Sequence, residues 1–403
     1  MRVLALQSGT SIDAIDVAII DFTVGLGDTP EVVARVVATT EAAWPDDLRR
    51  ALLDASAGAA LDAGSLLDLD VRAGHAFAEA ASGLAAQHPG TIDLVVSHGQ
   101  TIHHEVREGR AVGTLQLGSA APIAERLETA VLSDLRSADI AAGGEGAPLM
   151  AFFDRAWLGA EALARDGVIA TVNLGGIANV QLVSGSGVVA FDTGPAGALS
   201  DAIVQRASAG ERRFDPDGTI AASGEVDGAL LAELLSHPYF ALQPPKSTGR
   251  ETFTTQYVDR AIERVGAASI READLLATLA ELTARTVADA VRAAHPFEVI
   301  VSGGGVRNNA VMTALRAHLP GSTVLTSDER GVPAVDKEII MFATLGMLTA
   351  YRVPVALTGS RAPRLAGRLS LHSADAFARF AAFRSIRGIG SLRVVSVGSE
   401  AVA

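Results

Sequence analysis

One layout occurs twice in this chain, and that repetition restricts its fold more than anything else. β-rich apolar runs at 3–8, 16–22 and 31–40 are separated by glycine-containing turns, and helical spacing follows over 45–58 and 61–88. An apolar strand at 92–96 then ends at Ser97-His98-Gly99. The order returns with strands at 168–174, 178–183 and 188–191, helices at 196–209, 228–236, 255–265 and 271–294, and a strand at 297–301 that ends at Ser302-Gly303-Gly304-Gly305. A meander, helices and a strand with a glycine turn, used twice, form a coarse topological repeat and not a short solenoid period. The spacing therefore predicts an α/β protein of two pseudo-symmetric halves, with a late helix over 335–351 packing across their junction.

The 403 residues suffice for two domains. The expected division is a first lobe over 1–133, a second over 134–370 with the late helix packing back on the first, and a tail over 371–403. The tail carries Arg379, Arg384 and Arg387 among apolar residues, which leaves a basic amphipathic helix, an added packing element or disorder open. Lys+Arg of 33 against Asp+Glu of 46 give a net charge of −13, which argues against the basic footprint of a nucleic-acid binder. With no cysteine there is no disulfide framework, thiolate zinc site, iron–sulfur cluster or cysteine nucleophile, and a reducing, cytoplasmic setting is expected. The first strand runs straight into a polar turn without the apolar stretch of a signal peptide, and no run of eighteen apolar residues suggests a membrane span.

In open α/β sheets ligands sit beyond the carboxyl ends of strands, so glycine turns from both halves are expected to line one cleft. Ser8-Gly9-Thr10-Ser11-Ile12-Asp13 offers backbone N–H groups for an anion nest, hydroxyl donors and a carboxylate for hydrated Mg²⁺; by itself it also reads as a plain hairpin. Gly175-Gly176 is its counterpart in the second half. Asp192, at a strand end before Thr193-Gly194-Pro195, fits either a general base or a turn-capping carboxylate. Ser302-Gly303-Gly304-Gly305 matches neither the dinucleotide fingerprint nor a Walker A loop. His98, His103 and His104 lack zinc-ligand spacing and favour sugar recognition or a structural loop. Arg136 fits a substrate carboxylate and an interdomain salt bridge equally. Lys246-Ser247-Thr248-Gly249-Arg250-Glu251 reads as a phosphate contact or a helix entry, and Glu338 as a solvated helix residue.

Seven segments taken in order resemble the motifs of the anhydro-N-acetylmuramic acid kinase family, over about residues 2 to 369. They begin at Ser8, Ser97, Gly143, Asn173, Asp192, Lys246 and Gly303, the third being Gly143-Gly144-Glu145-Gly146-Ala147-Pro148-Leu149 and the fourth Asn173-Leu174-Gly175-Gly176-Ile177-Ala178-Asn179. The resemblance implies two actin-like ATPase lobes of ribonuclease H-like type with a nucleotide cleft between them. It also implies that 1,6-anhydro-N-acetylmuramic acid, ATP and water yield N-acetylmuramic acid 6-phosphate and ADP in cell-wall recycling. By motif position, it makes Asp192 the catalytic base. It assigns ATP to Ser8, Gly9, Thr10, Ser11, Asp13, Gly175, Gly176, Asn179, Gly194, Gly304, Gly305 and Asn308, the substrate to Thr101, Arg136 and Glu338, and Mg²⁺ to Asp13 through water. A homodimer is implied as well. The chain departs from the family pattern at Ala14, at Glu145 and in the arginine-poor segment 136–139. The alternatives are a kinase for an uncharged anhydrosugar such as levoglucosan, and an ATP-binding module that phosphorylates no sugar.

Overall fold

The computed structural model describes residues 1–9, 11–107, 110–244, 246–249, 252–355 and 362–396. The first part of the chain runs β1 (Arg2–Ser8), β2 (Ile15–Val24), β3 (Glu31–Ala42), α1 (Asp46–Ser56), α2 (Ala63–Gln87), β4 (Leu94–Arg107), β5 (Arg110–Leu117), α3 (Ala120–Leu127), β6 (Val131–Ser133), α4 (Ser137–Ala141) and α5 (Met150–Ala164). It continues with β7 (Ile169–Leu174), β8 (Ile177–Ser184), β9 (Gly187–Pro195), α6 (Gly197–Ala207), α7 (Thr219–Ala222), α8 (Gly228–Leu235), α9 (Thr255–Val265), α10 (Glu272–Arg292), β10 (Glu298–Ser302), α11 (Asn309–His318) and β11 (Thr323–Thr326). Last come α12 (Lys337–Ala350), β12 (Arg368–Ser370), α13 (Ala374–Ala381) and β13 (Ser391–Val395). No described helix is long and apolar enough to cross a membrane.

The chain forms two compact units, Met1–Trp157 with Glu338–Ala403, and Leu158–Lys337. In the first unit the strand order β3-β2-β1-β4-β6 has β1 antiparallel to β2, and β4 parallel to both β1 and β6. In the second, β9-β8-β7-β10-β11 repeats the order and the directions. A three-stranded meander whose first strand pairs in parallel with a later one is the ribonuclease H-like pattern. Its double use is the pseudo-symmetry expected from the sequence. Central strands β1 and β10 are buried along almost their whole length, so they read as continuous apolar runs and not as alternation. Helix α10 is buried on most of its surface and forms the middle of the second core with Val172, Val180 and Val301.

Two expectations differ from the structure. The first unit extends to Trp157 and resumes at Glu338, whereas the sequence placed a boundary at 133/134. The reason is packing between segments distant in sequence: β12 closes the first sheet beside β6, and Phe342 of α12 lies 4.5 Å from the His98 ring on β4. The strand expected to end at 97–99 continues to Arg107 and folds back as β5. Leu94–Gln100 are buried, but most side chains beyond them meet solvent, so no apolar pattern marks the extension. Of the alternatives left open for the tail, its described residues form an added packing element: β13 pairs in parallel with β3 and buries Leu392 and Val394.

Candidate functional site

In the first unit the turn after β1 is braced from three sides. Trp44 Nε1 donates to Ser8 Oγ at 3.2 Å, and Gln100 Nε2 donates to the Gly9 carbonyl at 3.3 Å. Arg49 Nε donates to the Ile12 carbonyl at 2.7 Å, and its Nη2 reaches Asp13 Oδ1 at 3.2 Å. The positive φ of this turn, 54°, falls on Ile12, whose side chain is fully buried. Ala14 is therefore spared the left-handed backbone that its Cβ would resist. A Cβ built on Gly9 meets only Ser11 Oγ, at 3.8 Å, so the backbone there is bare. Thr10 lies outside the described residues.

Beside that turn sits a polar cluster built from β4, the β6–α4 junction and α12. Arg136 Nε donates to His98 Nε2 at 3.0 Å, and its Nη1 donates to the Gly146 carbonyl at 2.7 Å. His98 Nδ1 faces the Gly99 carbonyl at 3.1 Å, which assigns the proton to Nδ1 and leaves Nε2 as acceptor. Burial, reinforced by the Arg136 charge, holds His98 well below the usual histidine pKa. Burial also lowers the Arg136 guanidinium to about 10, against the opposing pull of Glu338. Among the described residues none of the ion pairs involves Arg136, and Glu338 is the charge that acts on it. Glu338 is accessible to solvent, yet the protein around it raises its carboxyl pKa, with Arg136 and a Gln7 hydrogen bond acting in opposition.

The 143–146 loop wraps the Asp139 carboxylate, whose Oδ2 accepts from Gly146 N at 2.9 Å. Glu145 Oε2 accepts from Ala111 N at 2.8 Å, which ties this loop to the β4–β5 hairpin. Thr101 Oγ1 accepts from Gln116 Nε2 at 3.2 Å. A cavity of about 460 Å³ opens nearby, with Asp70, Ser97, Gln116, Ser119, Asp134 and Arg368 in its walls. The sequence singled out neither Asp70 nor Arg368, because nothing in their neighbourhoods distinguishes them from surface charges. Ser97 Oγ in that wall and Gln100 Oε1 are buried without a hydrogen-bond partner among the described residues.

In the second unit β7 and β10 run parallel with Asn173 opposite Ser302, which puts their two glycine turns side by side. Gly303 has φ 85°, and a Cβ there would stand 2.5 Å from Asn173 Oδ1; one on Gly305 would stand 2.5 Å from Leu174 Cβ. These two glycines permit close packing, while a Cβ on Gly304 would meet nothing within 4 Å. Gly175 is almost as open. Gly194 is different: its missing side chain makes room for Phe240, 2.7 Å from where a Cβ would stand, so its role is packing. Asn308 caps α11 by accepting from Val311 N at 3.1 Å, and Asn179 Oδ1 accepts from Gln181 Nε2 at 3.0 Å.

Asp192 projects from β9 opposite Asn179. The neighbouring Thr193 turns inward, where Oγ1 donates to the Ala178 carbonyl. Asp192 Oδ2 accepts from Ser247 Oγ at 2.8 Å and from Thr248 N at 2.9 Å. Its backbone is pinned as well: N donates to the Lys246 carbonyl at 3.1 Å, and Tyr239 Oη donates to the Asp192 carbonyl at 2.7 Å. Burial raises the carboxyl pKa and outweighs the two donors that lower it. The 246–249 segment is thus a brace for the strand end, and the Lys246 amine lies 4.7 Å from the Tyr239 ring centre instead of projecting as a phosphate contact. Arg250 and Glu251 lie outside the described residues.

In the first unit Gly9, and in the second Gly175 and Gly304, each leave backbone open to the close approach to N–H groups that a phosphate needs. Among the described residues no cluster of three or more His or acidic side chains could hold a metal ion. Mg²⁺ needs only one or two carboxylates beside nucleotide phosphates, so the exposed Asp13 fits that need.

A family model described as anhydro-N-acetylmuramic acid kinase matches residues 1–370. A protein of that name from Rhodococcus erythropolis is 44% identical over 382 residues, covering 92% of this chain and 94% of the relative. One from Streptomyces coelicolor is 44% identical over 376 residues, with 92% and 94% covered. A third, from Xanthomonas axonopodis pv. citri, is 44% identical over 378 residues, with 91% and 97% covered. This chain therefore belongs to the anhydro-N-acetylmuramic acid kinase family.

Proposed function

We propose that the protein phosphorylates 1,6-anhydro-N-acetylmuramic acid with hydrolytic opening of its anhydro bridge. The Asp192 carboxylate takes a proton from water, and the water oxygen bonds to the anomeric carbon. The bond from that carbon to the bridging oxygen breaks. The freed oxygen 6 accepts the γ-phosphoryl group, giving N-acetylmuramic acid 6-phosphate and ADP. When bound, Mg·ATP supplies the phosphoryl group with much of its charge neutralised. By motif position, the phosphates would be oriented by Ser8, Gly9 and Ser11 from the first unit and by Gly175 and Gly176 from the second, the nucleoside would meet Gly304, Gly305 and Asn308, and Mg²⁺ would be held through water by Asp13. The product class places the enzyme in cell-wall recycling.

The observation that carries this reading is the Asp192 carboxyl, with one oxygen held by two donors and the other without a hydrogen bond among the described residues. Its raised pKa makes it a better proton acceptor than an ordinary aspartate, as general-base catalysis near neutral pH requires. Arg136 supports an acidic sugar over an uncharged one such as levoglucosan, because a partly buried guanidinium that makes no direct ion pair among the described residues is stabilised by an incoming carboxylate. Thr101, Glu338 and the hydroxyl-rich cavity supply partners for the remaining sugar oxygens. Incubation with Mg·ATP and 1,6-anhydro-N-acetylmuramic acid tests the proposal. Mass spectrometry in ¹⁸O-labelled water should show a ring-opened monophosphate with one heavy oxygen at carbon 1; ADP formation without that product refutes it.

A further inference from the structure

Asp192 and Ser247 are fifty-five residues apart, yet their side chains meet at 2.8 Å. Thr248 N approaches the same carboxylate oxygen at 2.9 Å, and no described group donates to Oδ1. We infer that Ser247 is a positioning residue: with Thr248 N it fixes Oδ2 of Asp192 and leaves Oδ1 as the oxygen that removes the proton from the attacking water. This inference rests on the reading of Asp192 as the base.

The surroundings make the hold a rigid one. The chain is only 4% aromatic, yet Tyr239, Phe240, Phe253 and Tyr257 gather with His237 directly behind this segment, with Phe240 and Phe253 stacked at 5.5 Å. Tyr239 extends from that cluster to the Asp192 carbonyl, and Thr283 Oγ1 on α10 ties down the Pro195 carbonyl three residues further on. Among the described residues, the titratable groups facing Asp192 are Tyr239, whose hydroxyl is held protonated by burial and by the Asp192 charge, and Lys246, whose amine turns to the Tyr239 ring. Asn179 on β8 and Thr283 and Thr286 on α10 carry no charge. Ser247 itself is exposed, so its hydroxyl contributes little to folding and its contact with Asp192 is its main structural engagement.

Ser247→Ala, Ser247→Thr and Asp192→Asn are compared with the unaltered chain in kcat/KM for the anhydrosugar across pH 4–9 at saturating Mg·ATP. A donor to the charged form favours it, so its removal raises the pKa. The acid limb of Ser247→Ala should move up by about one pH unit, with kcat about tenfold lower. Ser247→Thr should restore both, and melting temperature should be unchanged throughout. An inactive Asp192→Asn together with an unmoved limb in Ser247→Ala overturns the inference alone. Near-normal turnover of Asp192→Asn removes the base assignment and the inference with it.

Discussion

Replacing Asp192 with Asn keeps the shape and removes the proton acceptor. Turnover should fall about 10²–10⁴-fold, or roughly 3–5 kcal/mol in barrier, while ATP affinity measured calorimetrically stays within about twofold of normal. Arg136 predicts a different signature: Arg136→Gln should raise the KM for the carboxylated sugar by about tenfold or more and leave the KM for ATP unchanged in the same assay. His98 predicts acid sensitivity. Its folded pKa lies well below the ordinary 6.5, so the unfolded chain binds the extra proton and stability is lost as pH falls through that ordinary value. Urea unfolding at pH 7.5 and 5.5 should show this loss in the unaltered chain and a smaller one in His98→Gln. Of these three residues, Asp192 stood out in the sequence by its place at a strand end within a motif, and Arg136 only as a candidate carried over from the resemblance. His98 stood in a motif after a strand as a candidate for sugar recognition or a structural loop, but its pairing with Arg136 spans 38 positions that no local pattern connects.

Elements carry the second set of consequences. The three glycines after β10 look alike in sequence and differ in what surrounds them. Gly304→Ala fills empty space, so its melting temperature should stay within about 2 °C of normal while the KM for ATP rises. Gly303→Ala forces a Cβ into a left-handed backbone position beside Asn173, a strain of roughly 1–2 kcal/mol or more, and thermal unfolding should report it directly. The edge of the first sheet gives a further test. A chain ending at Gly390 loses β13, which uncovers the β3 edge and the contacts of Leu392 and Val394. Unpaired strand edges template association, so light scattering should detect aggregation of the truncated chain on mild heating.

At the level of the whole molecule, Mg·ATP at about a hundred times its dissociation constant should stabilise the protein by about 2.7 kcal/mol, and thermal shift in the presence of Asp192→Asn should be nearly the same, since binding does not need the base. The sequence alone determined the doubled meander, the α/β class and the glycine turns at strand ends. Apolar periodicity and glycine punctuation are local quantities, readable within a dozen residues. Tertiary structure decided the unit boundary at Trp157 and Leu158, the β4–β5 hairpin and the seat of the tail. It also decided that Ser247 and Thr248 meet Asp192, and that Gly194 serves packing against Phe240. Each of those depends on contacts between segments tens to hundreds of residues apart, whose partners are selected by burial and hydrogen-bond satisfaction in the folded chain and leave no local periodic trace.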